Sequence, residues 1–315
     1  MFLMRLGFAL PHVGPVATRD NIRAVAMEAE RLGYDSLWTL ERLLKPVNAK
    51  TPYPGAADGK LDDQYHTVYE HLSVLTYVAA ITSRVRLGVS VVNLPYHHPV
   101  TLAKRIATVD QLSGGRITLG IGLGWSEDEA DATNTPFKQR GKIGDEAIRV
   151  LKALWAPDPV EFHGKYFDVA SCEFGPKPVQ QPHPPLVIGA FAPVALQRAG
   201  RLADGFTGCC APVDVLLDFK GQFERAAADA GRDPATLPTV IRCLVNRTDE
   251  PITDEGRPVA WGTWEQIRDD LVRLKEGGVD EAFFDVSFVK DNTDRSSVLG
   301  YLERFRGIVE EPVSA

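Results

Sequence analysis

Apolar residues in this chain follow a helical spacing in some segments and form short continuous runs in others. The first helical face, with members at i, i+3, i+4 and i+7, consists of Ile22, Val25, Ala26 and Ala29. Gly33 ends this predicted helix, because glycine readily takes the positive φ found at helix C-termini. The run 36–40 that follows is typical of a short buried strand.

The same order of helix and strand recurs near the end of the chain. Thr263 and Gln266 have the spacing of a capping box, which indicates the start of a helix. Gly277 and Gly278 mark its end, and the apolar run 281–286 is predicted to be a strand. Repeated alternation of helix and strand predicts a parallel sheet covered by helices.

Counted along the chain, the predicted strands lie at residues 5–9, 36–40, 86–92, 117–122, 186–189, 205–209, 240–246 and 281–286. Eight strands that alternate with helices are the number that closes a barrel, so the predicted fold class is α/β, a (β/α)8 TIM barrel. A doubly wound open sheet is the alternative. It is less favoured because no Gly-x-Gly-x-x-Gly motif follows the first strand.

Two connections are too long to be simple turns. The segment 41–68 after the second strand is rich in turn residues and has no apolar period, which is typical of a functional loop on the barrel rim. After the fourth strand, a helix near 137–155 precedes the segment 156–185, which carries a predicted hairpin that turns at Gly164 and Lys165. We interpret both segments as insertions in a single domain that covers residues 1–315.

Composition and charge narrow the class of partner. Apolar residues make up 44% of the chain and charged residues 24%, as in an ordinary globular enzyme. A net charge of −7 argues against nucleic acid or an anionic membrane, which both attract basic surfaces. No apolar run approaches the roughly 18 residues of a membrane span, and the apolar N-terminus is interpreted as the first strand. We therefore expect a cytoplasmic protein with a small-molecule substrate.

The cysteines and neighbouring histidines predict no metal site. Adjacent residues of a strand point to opposite faces, so Cys209 and Cys210 are predicted to diverge, and a bond between them would be strained. Together with Cys172 and Cys243 they are expected to be reduced thiols. His97 and His98 also lie side by side without a third ligand at a metal spacing, and His98 is expected to form a local hydrogen bond.

Several motifs together resemble the luciferase-like monooxygenase superfamily, especially its branch that depends on the deazaflavin coenzyme F420. The resemblance lies in residues 87–99 (LGVSVVNLPYHHP), 112–125 (LSGGRITLGIGLGW), 200–206 (GRLADGF), 33–38 (GYDSLW) and 262–263 (GT). They span nearly the whole chain in the expected order. The resemblance implies a homodimeric enzyme that transfers hydride between F420 and a small organic substrate.

The resemblance also implies where the cofactor binds. A cis peptide bond between Ser90 and Val91 would form a bulge against the middle ring, and the turn after the fifth strand would bind the phosphate through backbone N–H groups. Phe191 departs from the Gly or Ser usual in this turn. The expected cofactor-binding residues are Glu41, Ser90, Val91, Gly124, Trp125, Gly189, Ala190, Phe191, Ala192 and Cys209. The alternative interpretation is that Ser90 and Val91 are ordinary strand residues and that the turn after the fifth strand is an ordinary βα turn.

The candidate catalytic residues are Glu41, Arg42 and Trp125, and two of them depart from the family pattern. Many F420-dependent relatives carry a histidine that accepts a proton at the position of Arg42, and the sugar-phosphate enzymes carry a glutamate at that of Trp125. Arginine stays protonated and cannot act as that base. Arg42 is expected either to bind an anion or to form a solvated salt bridge on the rim, and Trp125 either to line the pocket or to pack in the core.

Other roles stay open at this stage. Tyr53, Tyr65 and His66 lie in the long loop and are further possible proton donors. FMN is the alternative cofactor, in an FMNH2-dependent monooxygenase that uses oxygen. A homologue that binds the cofactor without turnover is a third hypothesis.

Overall fold

The eight predicted strands form a closed parallel barrel in this computed structural model, which describes residues 4–56 and 58–310. The strands are β1 Arg5–Ala9, β2 Ser36–Thr39, β3 Arg86–Asn93, β4 Ile117–Gly122, β5 Val160–His163, β6 Asp168–Cys172, β7 Leu186–Gly189, β8 Gly205–Cys209, β9 Thr239–Leu244, β10 Asn246–Arg247, β11 Trp261–Gly262 and β12 Glu281–Asp285. Around the barrel the order is β1-β12-β9-β8-β7-β4-β3-β2. The predicted (β/α)8 fold is therefore confirmed. Residues 1–3, 57 and 311–315 of the predicted domain lie outside the described residues.

Helices connect the barrel strands and pack against their outer faces. They are α1 Arg19–Arg31, α2 His71–Ala79, α3 Pro99–Ser113, α4 Glu127–Ala132, α5 Arg140–Trp155, α6 Pro193–Leu202, α7 Val213–Asp229, α8 Trp264–Glu276 and α9 Arg295–Glu310. The predicted capping box is present at α8, where Thr263 accepts from the Gln266 backbone N–H and the Gln266 side chain accepts from the Thr263 N–H. Each cap satisfies backbone groups that a helix terminus leaves without partners.

The N-terminal end of the barrel is closed by a buried carboxylate. Glu281, at the start of β12, is fully buried and accepts hydrogen bonds from Ser36 Oγ at 2.5 Å and Trp38 Nε1 at 3.0 Å. Arg5 and Arg86 pair with the same carboxylate. The Trp38 and Phe283 rings stack above it with centroids 4.7 Å apart. The open end of the barrel is therefore the C-terminal one.

The two predicted insertions have different structures. The segment after β2 forms a rim loop, which consists of residues 41–68 and is described without residue 57. The end of this loop pairs with the segment after β1 through an isolated antiparallel β-bridge between Val13 and Val68. The segment after α5 contains the expected hairpin, in which β5 and β6 pair antiparallel. Among the described residues, no helix combines the length and the apolarity that crossing a membrane requires.

Candidate active site

A cavity of about 400 Å³ opens at the C-terminal ends of the barrel strands. Its wall is built from the ends of β2, β3, β8 and β9, the loops after β4 and β7, and the rim loop. The lining residues are Leu40, Glu41, Arg42, Tyr53, Pro54, Gly55, Tyr65, Ser90, Val91, Asn93, Trp125, Phe191, Cys209, Cys210 and Arg242. This is the end at which barrel enzymes carry their active sites.

Aromatic side chains and Arg42 form one side of the cavity. The Tyr53 and Trp125 rings lie 5.2 Å apart, and the Arg42 guanidinium lies 4.9 Å from the Trp125 ring centroid. Arg42 pairs with Glu129 of α4 at 3.0 Å, and the two side chains are 7% and 1% exposed. The solvated rim salt bridge considered for Arg42 is therefore wrong, because α4 and the rim loop cover the pair. Trp125 lines the cavity rather than the core.

A bulge in β3 forms another part of the wall. The Ser90–Val91 peptide bond is cis, as predicted, and the pairing of β3 with β4 shifts register between Val89 and Val92. β4 makes room for the bulge with glycine, since a Cβ at Gly120 would lie 2.1 Å from the Val89 carbonyl oxygen. The bulge therefore depends on the missing side chain on the neighbouring strand.

Glu41 is held by a buried network at the end of β2. Its carboxylate accepts from the Asn93 backbone N–H at 2.6 Å and lies 2.6 Å from His97 Nε2 and 3.5 Å from His71 Nδ1. Burial alone would raise the pKa of Glu41, but the hydrogen bond and charge of His97 and the charge of His71 lower that pKa below its usual value. Burial lowers the pKa of His71 to about 4. Glu41 is therefore an anion at the cavity wall.

A second buried ion pair lies across the barrel mouth. Arg242 of β9 donates to the Asp285 carboxylate from Nε at 2.9 Å and from Nη2 at 2.5 Å. Burial opposes the charge on both groups, but each charge stabilises the other, so the pKa of Arg242 is raised and the pKa of Asp285 is lowered. Arg242 therefore presents a permanent positive charge to the cavity. It was not among the residues predicted from sequence.

Cys209 and Cys210 both line the cavity, and the prediction that they diverge is wrong. β8 ends at Cys209, and Cys210 has a φ of 56°, in the left-handed region. The alternation of an extended strand therefore does not continue to Cys210. All four cysteines are free thiols.

The expected phosphate turn lies at the start of α6. Gly189 ends β7, Ala190 is buried, and Ala192 is the N-cap residue of α6, with Pro193 in the first turn. Phe191 is 54% exposed, and it is the member of this turn that lines the cavity. Its ring packs edge to face on Phe219 at 6.3 Å, which places it between the cavity and α7.

Most of the residues expected at the site are brought together by the structure. Seven of them line the cavity: Glu41, Arg42, Ser90, Val91, Trp125, Phe191 and Cys209. Gly124, Ala190 and Ala192 are chain neighbours of lining residues, and Gly189 lies two residues before Phe191. Gly124 has a φ of 76° and packs against the Tyr96 ring. The roles expected of these residues toward a cofactor stay predictions.

The neighbouring histidines behave differently from each other. His97 bonds Glu41, whereas His98 makes no side-chain capping bond to α3. The His98 ring lies instead edge to face on Phe167, at 5.8 Å. Within the described ranges, no three His, Cys, Asp or Glu side chains are grouped as a metal site would need.

Comparison with known proteins places this geometry in a family. The sequence model of the luciferase-like monooxygenase family matches residues 2–258. An uncharacterised protein of Mycobacterium tuberculosis (strain ATCC 25618 / H37Rv) is 31% identical over 285 residues, which cover 89% of this chain and 91% of that protein. The FMNH2-dependent dimethylsulfone monooxygenase of Pseudomonas putida is 30% identical over 190 residues, 59% of this chain and 48% of that protein.

A solved structure shares the fold over nearly its full length. An F420-dependent secondary alcohol dehydrogenase, in complex with an F420-acetone adduct, superposes with a TM-score of 0.77 and is 18% identical in sequence. The superposition covers 97% of this chain and 98% of that one.

Proposed function

Because this chain belongs to the luciferase-like monooxygenase family, we propose that it is an oxidoreductase that binds coenzyme F420 in the barrel cavity and transfers hydride between F420 and a small organic substrate. The observation that carries this proposal is the cavity wall itself. It combines the Ser90–Val91 bulge, an aromatic side at Tyr53 and Trp125, and two guanidiniums, those of Arg42 and Arg242.

The side chains present fit a flavin-like ring system. Flat aromatic walls suit a planar ring, and guanidiniums suit its carbonyl-bearing edge. When bound, F420 supplies the hydride chemistry at its C5. Arg42 and Arg242 would bind and orient the polar edge, because Glu129 and Asp285 hold the two guanidiniums in place. The turn at 189–192 would bind the phosphate through backbone N–H groups.

The same residues restrict the type of reaction. Alcohol oxidation needs a base that accepts the hydroxyl proton, and Arg42, bonded to Glu129, remains protonated. Burial raises the pKa of Tyr65 well above its usual value, so its hydroxyl stays protonated and can donate a hydrogen bond at the cavity. We therefore propose reduction of an activated double bond, or oxidation of a C–H bond, rather than alcohol dehydrogenation.

An FMNH2-dependent monooxygenase is the second candidate. The observation that favours it is the Pseudomonas putida relative, whose name states dependence on FMNH2. Such an activity would consume oxygen and bind FMN. Binding of F420 without turnover is the third candidate.

Fluorescence titration of the purified protein with F420 and with FMN tests the cofactor. We expect micromolar affinity for F420 and none for FMN, and the reverse result would overturn the F420 proposal in favour of the monooxygenase. Tight binding of F420 with no hydride transfer to any member of a broad panel of activated alkenes and C–H substrates would favour binding without turnover. Absence of binding to either cofactor would contradict all three candidates.

A pair of tyrosine variants tests the place of binding. Tyr53→Ala removes an aromatic wall of the cavity and should raise the Kd for F420 by ~10-fold, the equivalent of about 1.4 kcal/mol. Tyr69→Ala is the matched control, since Tyr69 is exposed and does not line the cavity, and it should change the Kd by less than about twofold. Equal effects of the two variants would contradict the proposed site.

The homodimer implied by the family resemblance belongs to the same proposal and is measured by light scattering.

A further inference from the structure

Two adjacent thiols lie side by side on the cavity wall. Cys209 is the last residue of β8, and the left-handed φ of 56° at Cys210 turns the chain so that both side chains line the cavity. Cys210 is exposed and Cys209 is partly exposed. A small solute that enters the cavity therefore meets both residues.

The two thiols also interact with each other. The neighbouring Cys209 thiol lowers the pKa of Cys210 to about 7. The neighbouring Cys210 thiol and burial raise the pKa of Cys209. The charged groups that face the pair are Arg242, which favours the thiolate, and Asp285, which opposes it. Cys210 is therefore the nucleophile of the pair and Cys209 the retained thiol.

The other two cysteines lack this environment. Cys243 is fully buried in β9, and burial raises its pKa. Cys172 lies at the end of the β6 hairpin strand, and it is not among the residues that line the cavity. Each therefore serves as an internal control for the pair.

We propose that Cys209 and Cys210 form a redox-active thiol pair that is oxidised by hydroperoxides at the cavity wall. The Cys210 thiolate attacks one peroxide oxygen, the O–O bond breaks, and the released hydroxide takes up a proton to become water. Cys210 becomes a sulfenic acid. The Cys209 sulfur then attacks the Cys210 sulfur, an S–S bond forms, and the S–O bond breaks as a second water leaves with the Cys209 proton. Two thiols lose two electrons and two protons, and hydrogen peroxide is reduced to two waters.

Adjacency makes this oxidation reversible. Neighbouring Cα atoms lie about 3.8 Å apart across a trans peptide, below the usual range of about 4.4–6.8 Å for disulfides. Such a bond is strained and is reduced easily. The pair would therefore return to thiols in the presence of an ordinary dithiol reductant.

Titration of the purified protein with hydrogen peroxide tests the pair without any cofactor or substrate. After each addition, the protein is denatured, alkylated and mapped by peptide mass spectrometry. We expect Cys209 and Cys210 to lose alkylation together and to regain it with dithiothreitol, while Cys172 and Cys243 stay alkylatable. The oxidation rate should be half-maximal near pH 7, because the pKa of Cys210 is lowered to about 7, rather than near the ~8.5 of a free thiol.

Serine variants separate the two roles. Cys210→Ser should slow peroxide oxidation at least ~10-fold, since burial still raises the pKa of the remaining Cys209 thiol. Cys209→Ser should stop the reaction at a sulfenic acid on Cys210 that dimedone traps. Cys172→Ser is the matched control and should behave as the unchanged protein, and circular dichroism confirms that each variant is folded.

Three outcomes would overturn the proposal. They are an unchanged oxidation rate in Cys210→Ser, oxidation of Cys172 as fast as that of the pair, and overoxidation of Cys210 while Cys209 remains alkylatable. A rate midpoint at or above about pH 8.5 would contradict the assignment of Cys210 as the thiolate.

Discussion

Charged side chains at the cavity are held by partners of opposite charge that are themselves buried. Arg242 lies within β9 and Asp285 at the end of the neighbouring strand β12, and their side chains are 13% and 2% exposed. An unpaired charge in such a place is costly, because it loses hydration without gaining an interaction. The pair therefore positions the Arg242 cation at the cavity, and the folded state loses stability if either charge is left without its partner.

Asp285→Asn should lower the free energy of unfolding by about 3–5 kcal/mol at neutral pH, because Arg242 stays charged without its partner. The folded-state pKa of Asp285 is lowered, so its stabilising effect is present above the unfolded pKa of about 4 and is lost as pH falls through the folded value. The difference in free energy of unfolding between the wild-type protein and Asp285→Asn should therefore be constant from about pH 5 to 8. It should shrink below about pH 4. Urea denaturation over this range measures it.

Asp249→Asn is the matched control for that prediction. Asp249 also pairs with an arginine, Arg247, at 2.7 Å, but its side chain is 93% exposed. Exposed pairs contribute only about 0–1 kcal/mol. A loss from Asp249→Asn as large as that from Asp285→Asn would contradict the role given to burial.

His71 should make the protein sensitive to acid. It is buried beside Glu41 and Glu70, with His97 and Arg105 also close, and its pKa is lowered to about 4. Since the unfolded chain binds the proton more readily, stability falls as pH drops below about 6.5. Between about pH 7 and pH 4.5 the free energy of unfolding of the wild-type protein should fall by ~2 kcal/mol more than that of His71→Gln.

Urea denaturation at both pH values checks the His71 prediction. His163→Gln is the control, since His163 is exposed and its pKa is raised by the hydrogen bond that its ring donates to Asp168. A raised pKa has the opposite sign of linkage, so this variant should not gain acid resistance. Equal acid sensitivity in His71→Gln and the unchanged protein would be evidence against the prediction.

Residues of the site were predictable from sequence only where a motif or an element end pointed to them. Glu41 and Trp125 come shortly after predicted strands, and both line the cavity. Arg242 lies inside the predicted strand 240–246 and belongs to no motif, so the sequence analysis does not name it. A charge within a buried strand requires a partner, and Asp285 at the end of the last strand was the available one. Cys210 was misplaced because strand alternation was assumed past the point where φ becomes positive.

At the level of elements, the bulge in β3 and the glycines of β4 form one unit. A Cβ on Gly120 would lie 2.1 Å from the Val89 carbonyl oxygen, which is backbone and cannot rotate away. Gly120→Ala should therefore lower the free energy of unfolding by at least ~2 kcal/mol and raise the Kd for F420, because Val91 moves with the bulge. Denaturation and the fluorescence titration measure the two effects.

Gly300→Ala is the matched control for the β4 prediction. Gly300 lies within α9, and a Cβ there would meet no atom within 4 Å. The same substitution should therefore stabilise the protein by up to ~1 kcal/mol, since alanine is the better helix former. Destabilisation by Gly300→Ala as large as that by Gly120→Ala would contradict the steric argument.

The boundaries of the barrel strands were predicted to within two residues, since buried parallel strands are continuous apolar runs with turn residues on both sides. The short pair β10 and β11 was not predicted. Each has two residues, too few for any periodicity to be visible, and their pairing joins segments on either side of a long connection. The local pattern of apolar residues thus predicts strands whose own side chains are buried. It does not predict strands that form only because distant segments of the chain pair with each other.

For the whole molecule, the two ends of the barrel are opposite in character. Glu281 and its partners close the N-terminal end, whereas the C-terminal end is covered by the rim loop. The loop is fastened to α4 through Lys50, whose ammonium pairs with Asp131 at 2.5 Å and whose backbone N–H donates to the Asp128 carboxylate at 3.0 Å. These contacts are exposed, so each contributes little compared with the barrel core. The part of the loop at 45–56 should therefore open independently of the barrel, while Arg42 stays held by the buried Glu129.

Lys50→Met tests this independence by hydrogen exchange. Loss of the pair with Asp131 should speed exchange of the amides at 45–56 by about two- to fivefold, the equivalent of up to ~1 kcal/mol. The reason is that this ion pair stabilises the closed loop relative to the open one. Exchange in β3 and β4 should not change, and the global free energy of unfolding should stay within about 0.5 kcal/mol. Lys220→Met, which removes a pair with Glu224 on α7, should leave the loop unchanged. Faster exchange in the barrel strands by the same factor as in the loop would contradict this prediction, because it would mean that loop and barrel open together.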